Sequence, residues 1–208
     1  MSQVNNAVCR RCRVEKTKLF LKGDKCLSNK CPVERRAYAP GQHGRLRRRI
    51  LGYGIQLREK QKLKRFFGMS EKQFRLFFER AEQQKGVTGE NLLSVLERRL
   101  DNVIYLAGFA NSRPQARLLV GHGHFLINGR KVSSPSHPVD KEDLIVFGEN
   151  SAKREGLKAV AEAHRNKAVP GWLEVNWDTL QVRVVSLPTR ADVTIPVEEH
   201  LVVELYSK

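Results

Sequence analysis

The first 68 residues carry 19 Lys and Arg against four carboxylates (Glu15, Asp24, Glu34 and Glu59), whereas the remaining 140 are almost neutral, 19 basic against 18 acidic. A segment this rich in like charge repels itself. It needs something other than its own side chains to hold it, and something anionic to receive it. Nucleic acid phosphate is the polyanion that fits. The larger apolar residues between Met1 and Arg36 are Val4, Val8, Val14, Leu19, Phe20, Leu21, Leu27 and Val33, too few to order so charged a stretch. The chain as a whole is 40% hydrophobic over 208 residues, which suffices for folded domains behind the basic segment. It has no run of eighteen apolar residues, no apolar N-terminal stretch and no long amphipathic helix with a bulky aromatic face accompanying the basic region. A soluble, cytoplasmic protein without a membrane role is expected.

All four cysteines, Cys9, Cys12, Cys26 and Cys31, lie within the first 31 residues, as Cys-x2-Cys, a loop of thirteen residues and Cys-x4-Cys. In a reducing compartment such a set binds metal rather than forming disulfides. Two short pairs separated by one loop suit a single tetrahedral zinc. Pro32 after Cys31 resembles the end of an iron-sulfur run, but the three short gaps of such a run are missing. Four thiolates leave no open coordination position, so the site reads as a structural staple. Its binding energy, on the order of 10 kcal/mol, would replace the missing core.

Next comes a basic stretch, Arg35-Arg36-Ala37-Tyr38-Ala39-Pro40-Gly41-Gln42-His43-Gly44-Arg45-Leu46-Arg47-Arg48-Arg49. Its Pro and Gly predict an extended arm rather than a helix. Arginine forks chelate phosphate, and Tyr38 and His43 offer faces for unpaired bases. From Ile55 the spacing is helical, with Leu57, Leu63, Phe66 and Phe67 on one face and Gly68 as terminator. A second helix is capped by Ser70 with Gln73 and buries Phe74, Phe77, Phe78 and Ala81. A third is expected over Glu90–Leu106.

The stretch from Asn111 to Val132 combines a cap at Ser112 and Gln115, Pro114 in a first turn, helix breakers Gly121 and Gly123, and the hairpin turn Asn128-Gly129. Arg113, Gln115 and Arg117 would project from the first turns of this helix and Arg130 and Lys131 from just past the hairpin turn, together making one basic corner. A capped helix opening toward phosphate adds its own positive end.

Residues of about 98 to 147 resemble a small RNA-binding fold shared by a ribosomal protein, some pseudouridine synthases and bacterial tyrosyl-tRNA synthetases. The rest resembles only the first of these. The four-cysteine knuckle, Tyr38-Ala39-Pro40-Gly41-Gln42-His43-Gly44, Leu57-Arg58-Glu59-Lys60-Gln61-Lys62-Leu63, Glu71-Lys72-Gln73-Phe74-Arg75, Lys85-Gly86-Val87-Thr88-Gly89 and Arg99-Leu100-Asp101-Asn102-Val103 look like the bacterial small-subunit ribosomal protein four family. The likeness implies a non-enzymatic primary RNA-binding protein that grips a junction in the 5′ domain of small-subunit ribosomal RNA and nucleates assembly. It further implies contact with small-subunit proteins five and three, a place near the path by which messenger RNA enters, and an influence on translational accuracy. Carried onto this sequence, the RNA-contacting positions are Arg35, Arg36, Tyr38, Gln42, His43, Arg47, Arg58, Lys62, Arg113, Gln115, Arg117, His124 and Lys131. Two features depart from the family pattern: Met1-Ser2-Gln3-Val4 replaces a Met-Gly-Arg-Tyr opening, and Leu106 follows Tyr105 where an arginine is usual.

Beyond Gly148, Ser151–Ala168 reads as one helix with Leu157, Val160, Ala161 and His164 on one side. Short strands are expected after it, from the alternation of Val175, Val182, Val184, Val185, Ile195, Leu201, Val203 and Leu205. The balance from Val169 onward is three basic to six acidic residues, which suits a protein partner better than phosphate. The expected fold is therefore α+β. A metal knuckle and basic arm (1–45) precede a helical domain (46–97, completed by about 168–208). Into that domain is inserted a small RNA-binding domain (98–167) with a helix pair and an antiparallel sheet. An RNA-modifying enzyme would need a catalytic domain for which about 60 neutral residues leave little room. A zinc-dependent DNA-binding regulator would need a recognition helix where Tyr38–Gly44 stands.

Overall fold

A computed structural model describes residues 7–46, 51–152 and 154–207. The chain divides into two compact units: Met1–Leu92 with Ile195–Lys208, and Leu93–Thr194.

The first unit contains α1 (Val8–Glu15), the single turn α2 (Pro32–Arg35), α3 (Gly52–Phe66), α4 (Glu71–Glu82), the start of α5 (Thr88–Glu97) and α10 (Glu199–Tyr206). The Ser70 hydroxyl caps α4 by accepting from the Gln73 amide at 3.3 Å, and Glu71 in the first turn complements the helix dipole. Spacing of i, i+3, i+4 and i+7 then buries Phe74, Phe77, Phe78 and Ala81, and Leu63, Phe66, Phe67 and Met69 are buried in the same unit. The C-terminal segment closes this core: α10 packs along α3, and the Tyr206 ring stacks on Phe78 at 4.4 Å between centroids.

The second unit contains the end of α5, α6 (Leu100–Leu106), α7 (Arg113–Gly121), α8 (Glu149–Ala152), α9 (Glu155–Ala163) and five strands. The strands are β1 (Phe125–Ile127), β2 (Arg130–Val132), β3 (Leu144–Phe147), β4 (Leu173–Asn176) and β5 (Gln181–Val184), forming an antiparallel sheet in the order β2-β1-β3-β5-β4. Asn128 and Gly129 both have positive φ, 49° and 79°, as the tight turn between β1 and β2 requires. Leu100, Val103, Ile104, Ala116, Val120, Phe125, Ile145 and Val182 belong to one continuous core under the sheet.

Four expectations are corrected. The single helix over Glu90–Leu106 is two, broken at Arg98–Arg99. The loop at 135–139 takes the backbone groups that a continuous helix would have paired: Leu100 N–H donates to the His137 carbonyl (2.9 Å), Asp101 N–H to that of Pro135 (3.2 Å), and Val139 N–H to that of Arg98 (2.9 Å). The Ser151–Ala168 helix is likewise two pieces, α9 restarting after Arg154 and ending at Ala163. Of the strand-like C-terminal residues, Val175, Val182 and Val184 are in strands, but Leu201, Val203 and Leu205 lie in α10, where Val202 is the buried residue. Alternation over so short a span fits either period, and the apolar face of α3 selects the helix. Finally, the segment from about 168 does not complete the helical unit as a whole. Pairing of Val182 with Ile145 draws β5 and β4 into the other unit's sheet, leaving Ile195–Lys208 with the helices.

Candidate nucleic-acid interface

Helix α1 is short and has a low apolar content, and its one turn of spacing puts Cys9 and Cys12 on the same side. Cys12, Cys26 and Cys31 are buried and Cys9 is half-buried, all with free thiols. Burial pushes the Cys12 thiol up; a backbone N–H of Leu19 opposes this, and the sulfurs of Cys26, Cys9 and Cys31 lie within electrostatic reach. Burial likewise pushes Cys26 up, against N–H donors from Lys22, at 3.4 Å from the sulfur, and Leu21. N–H groups aimed at sulfur favour thiolate, the form that ligates a soft metal. Among the described residues, however, the thiols are not drawn together into a group able to hold a metal ion.

The basic arm is compact rather than extended, because turns close it on itself: Gly44 N–H donates to the Gly41 carbonyl at 3.1 Å and Leu46 N–H to that of His43 at 3.1 Å. Arg35, Arg36, Gln42 and His43 are exposed and Tyr38 is half-buried. Arg47 lies outside the described residues. The Tyr38 ring has the guanidinium of Arg13 at 5.0 Å and that of Arg45 at 4.9 Å from its centroid. A hydrogen bond with Arg45, reinforced by its charge, pulls the Tyr38 phenol below its ordinary value. Residues 39–44 of the arm, with Lys16 and Arg58, line an open cleft of about 470 Å³.

Sequence reading missed Glu15, a carboxylate whose side chain is 1% exposed, ion-paired with Arg65 and lying 3.5 Å from Arg58. Burial raises its pKa, and Arg58 and Arg65 oppose the rise. Arg58 is thus held by a buried anion, and Lys62 is held by Glu59 at 2.5 Å. The signal was available in principle: Glu15 is the sole carboxylate among the first 23 residues. Lys60 and Lys64 both bind Glu71, and although partial burial works against them, their hydrogen bonds hold that carboxyl at about 2.

In the second unit α7 starts as expected: the Ser112 hydroxyl accepts from the Gln115 amide (3.4 Å) and the Gln115 side chain accepts from the Asn111 amide (2.9 Å). Arg113 does not project outward. It is 6% exposed, its Nε donates to Asn102 Oδ1 at 2.8 Å, and its guanidinium lies 4.4 Å over the Tyr105 ring. Asn102 in turn donates to the Glu97 carbonyl (3.0 Å) and carboxylate (2.5 Å). One buried amide therefore relays between two buried charges. Lys167 donates to the Tyr105 carbonyl at 2.8 Å and faces the same ring at 4.0 Å; burial, then the Arg113 charge, lowers it to about 8. Arg117 lies 3.5 Å from Asp101 with a side chain 28% exposed. His124 is buried, its Nδ1 sharing a hydrogen bond with Ser151 at 2.8 Å, and burial lowers its pKa. Lys131 and Arg130 are exposed beyond the turn, so the outward part of the expected corner consists of Gln115, Arg117, Arg130 and Lys131.

A cationic arm folded against a thiol-bearing helix has little use except to meet a polyanion, and a helix pair leading into a hairpin with exposed cations offers a second such surface. Together they define a nucleic-acid-binding protein. Residues 3–97 match the family model of the ribosomal protein S4/S9 N-terminal domain and residues 98–145 that of the S4 domain. Over 208 residues, covering all of both chains, the sequence is 55% identical to small ribosomal subunit protein uS4 of Thermoanaerobacter sp. (strain X514) and 52% identical to that of Halothermothrix orenii. The uS4 of Desulfotalea psychrophila is 54% identical over 209 aligned residues, again covering all of both chains. The chain belongs to the uS4 family of small ribosomal subunit proteins.

Proposed function

We propose that this protein is a structural, non-enzymatic constituent of the small ribosomal subunit that binds small-subunit ribosomal RNA and helps nucleate assembly. The observation that carries the reading is end-to-end similarity to uS4 proteins in a chain whose net charge is concentrated in one arm-bearing third. Arg35, Arg36, Gln42, His43 and Lys131 reach RNA directly from exposed positions, with Tyr38 as a stacking face and Arg47 continuing the arm. Arg58, Lys62, Gln115 and Arg117 contact it from partly paired positions. The buried Arg113 and His124 support the RNA-facing elements from within. Proteins five and three of the small subunit are its neighbours, and its position near incoming messenger RNA links it to accuracy. A transcript of the 5′ domain of small-subunit ribosomal RNA should bind at least about tenfold more tightly than a large-subunit fragment of equal length, since phosphate alone gives no such preference. Equal affinities in a filter-binding assay would leave only non-specific binding.

Cys9, Cys12, Cys26 and Cys31 are the residues that would hold zinc. Bound there, the ion would supply a structural crosslink and no chemistry. The Cys-x2-Cys and Cys-x4-Cys spacing and the thin apolar content of the segment support this assignment. Elemental analysis should find about one zinc per chain, and chelation should expose residues up to about 35 to protease while leaving 70–208 resistant. Loss of protection throughout the chain would contradict an independent staple.

A further inference from the structure

Arg13 was not among the residues read from the sequence as functional, yet its side chain reaches three backbone carbonyls of the arm. It stands in the last turn of α1, next to Cys12. Its Nε is shared between the carbonyls of Arg36 (3.2 Å) and Tyr38 (3.0 Å), its Nη2 approaches the carbonyl of Ala39 (3.4 Å), and its guanidinium plane sits against the Tyr38 ring. Three backbone acceptors of the arm thus converge on one cation. A guanidinium carries five donors in a rigid fork and suits that geometry; an ammonium is a point charge on a flexible stem and does not. The loop closes from its other side at Gly44, where an added Cβ would fall inside the Ala39 carbonyl oxygen.

We propose that Arg13 is a positioning residue: it gathers the carbonyls of Arg36, Tyr38 and Ala39 and so presets the shape in which the arm meets RNA, instead of contacting phosphate itself. The proposal rests on the reading of the arm as RNA-binding. It also gives the thiol-bearing helix a function in recognition, since the helix is the platform from which Arg13 reaches the arm. Preorganisation matters because a loose arm loses its conformational freedom on binding, and a shaped one has already lost it.

Lysine at position 13 separates the two roles. A phosphate contact survives Arg13→Lys, because the charge is kept; a three-carbonyl brace does not. Affinity of the full chain for the 5′-domain transcript should fall about tenfold in Arg13→Lys and by a similar factor in Arg13→Ala, as expected when most of a charged donor's hydrogen bonds go. Gly44→Ala disturbs the same loop without touching α1. It should weaken binding comparably, and Arg13→Lys combined with Gly44→Ala should be no weaker than the worse single variant by more than about twofold. Thiol labelling of Cys12 and Cys26 should match wild type in every variant. Arg13→Lys binding like wild type while Arg13→Ala is weak would make Arg13 a phosphate ligand and overturn the proposal. So would multiplicative losses in the double variant, or raised thiol labelling in Arg13→Lys, which would signal collapse of the helix itself. A wild-type chain without preference for the transcript would instead count against the proposed function.

Discussion

Asn102→Leu should destabilise the unit Leu93–Thr194 by about 3 kcal/mol or more, although leucine has the same number of side-chain heavy atoms as asparagine and a better helix propensity. Asn102 is 1% exposed and hydrogen-bonds both the Glu97 carboxylate and the Arg113 guanidinium, two charges themselves 3% and 6% exposed. Leucine withdraws a donor from one and an acceptor from the other, and a buried charge that loses a hydrogen bond costs more than the methyl groups return. Asn102→Asp provides a sharper version, since it sets a second carboxylate beside Glu97, whose pKa burial already raises against the pull of Arg113. Protonation of that pair is favoured in the folded state, so its folded pKa lies above the unfolded one. The variant should therefore regain stability as pH falls and lose it as pH rises through the folded pKa. Both tryptophans, Trp172 and Trp177, lie in this unit, so denaturant titration followed by tryptophan fluorescence reads the effect directly. A midpoint within about 1 kcal/mol of wild type for Asn102→Leu would show that the relay is dispensable.

That relay also marks where sequence reading stopped. Local signals were legible: Ser70 and Gln73 around α4, Ser112 and Gln115 around α7, and Asn128-Gly129 between β1 and β2 each act through atoms a few residues apart, and each is found where its spacing placed it. The cationic arm was legible as composition, but its folded shape was not, because the turns are set by contacts with Arg13 across more than twenty residues. The inward turn of Arg113 depends on Asn102 and Glu97, eleven and sixteen positions earlier, which no helical period connects. The break at Arg98–Arg99 depends on carbonyls of Pro135 and His137 that become partners only once the chain has folded. Alternation at Leu201, Val203 and Leu205 was read with the wrong period for the same reason, since the surface that chooses between helix and strand is α3, well over a hundred residues away.

The same distinction between available and internally paired charge governs the expected salt dependence of RNA binding. If about five phosphates are neutralised, each contributing about 0.7–0.9 to the slope of log affinity against log salt, affinity should fall by roughly a few hundredfold between about 50 and about 200 mM monovalent salt. Not every cation in the first 68 residues should contribute equally. Among the described residues, Arg35, Arg36 and Arg45 are exposed and have no carboxylate partner, whereas Lys60 and Lys64 close on Glu71 and Arg65 closes on Glu15. Replacing Arg35, Arg36 and Arg45 together with glutamine should reduce the slope by about 2 to 3. Replacing Lys60 and Lys64 together should lower it by no more than about 1, because the two share the Glu71 carboxylate and only one net positive charge remains to release counterions when phosphate approaches. Equal reductions from the two sets would mean that RNA feels only net charge, and the arm would then be a diffuse attractor rather than a binding surface.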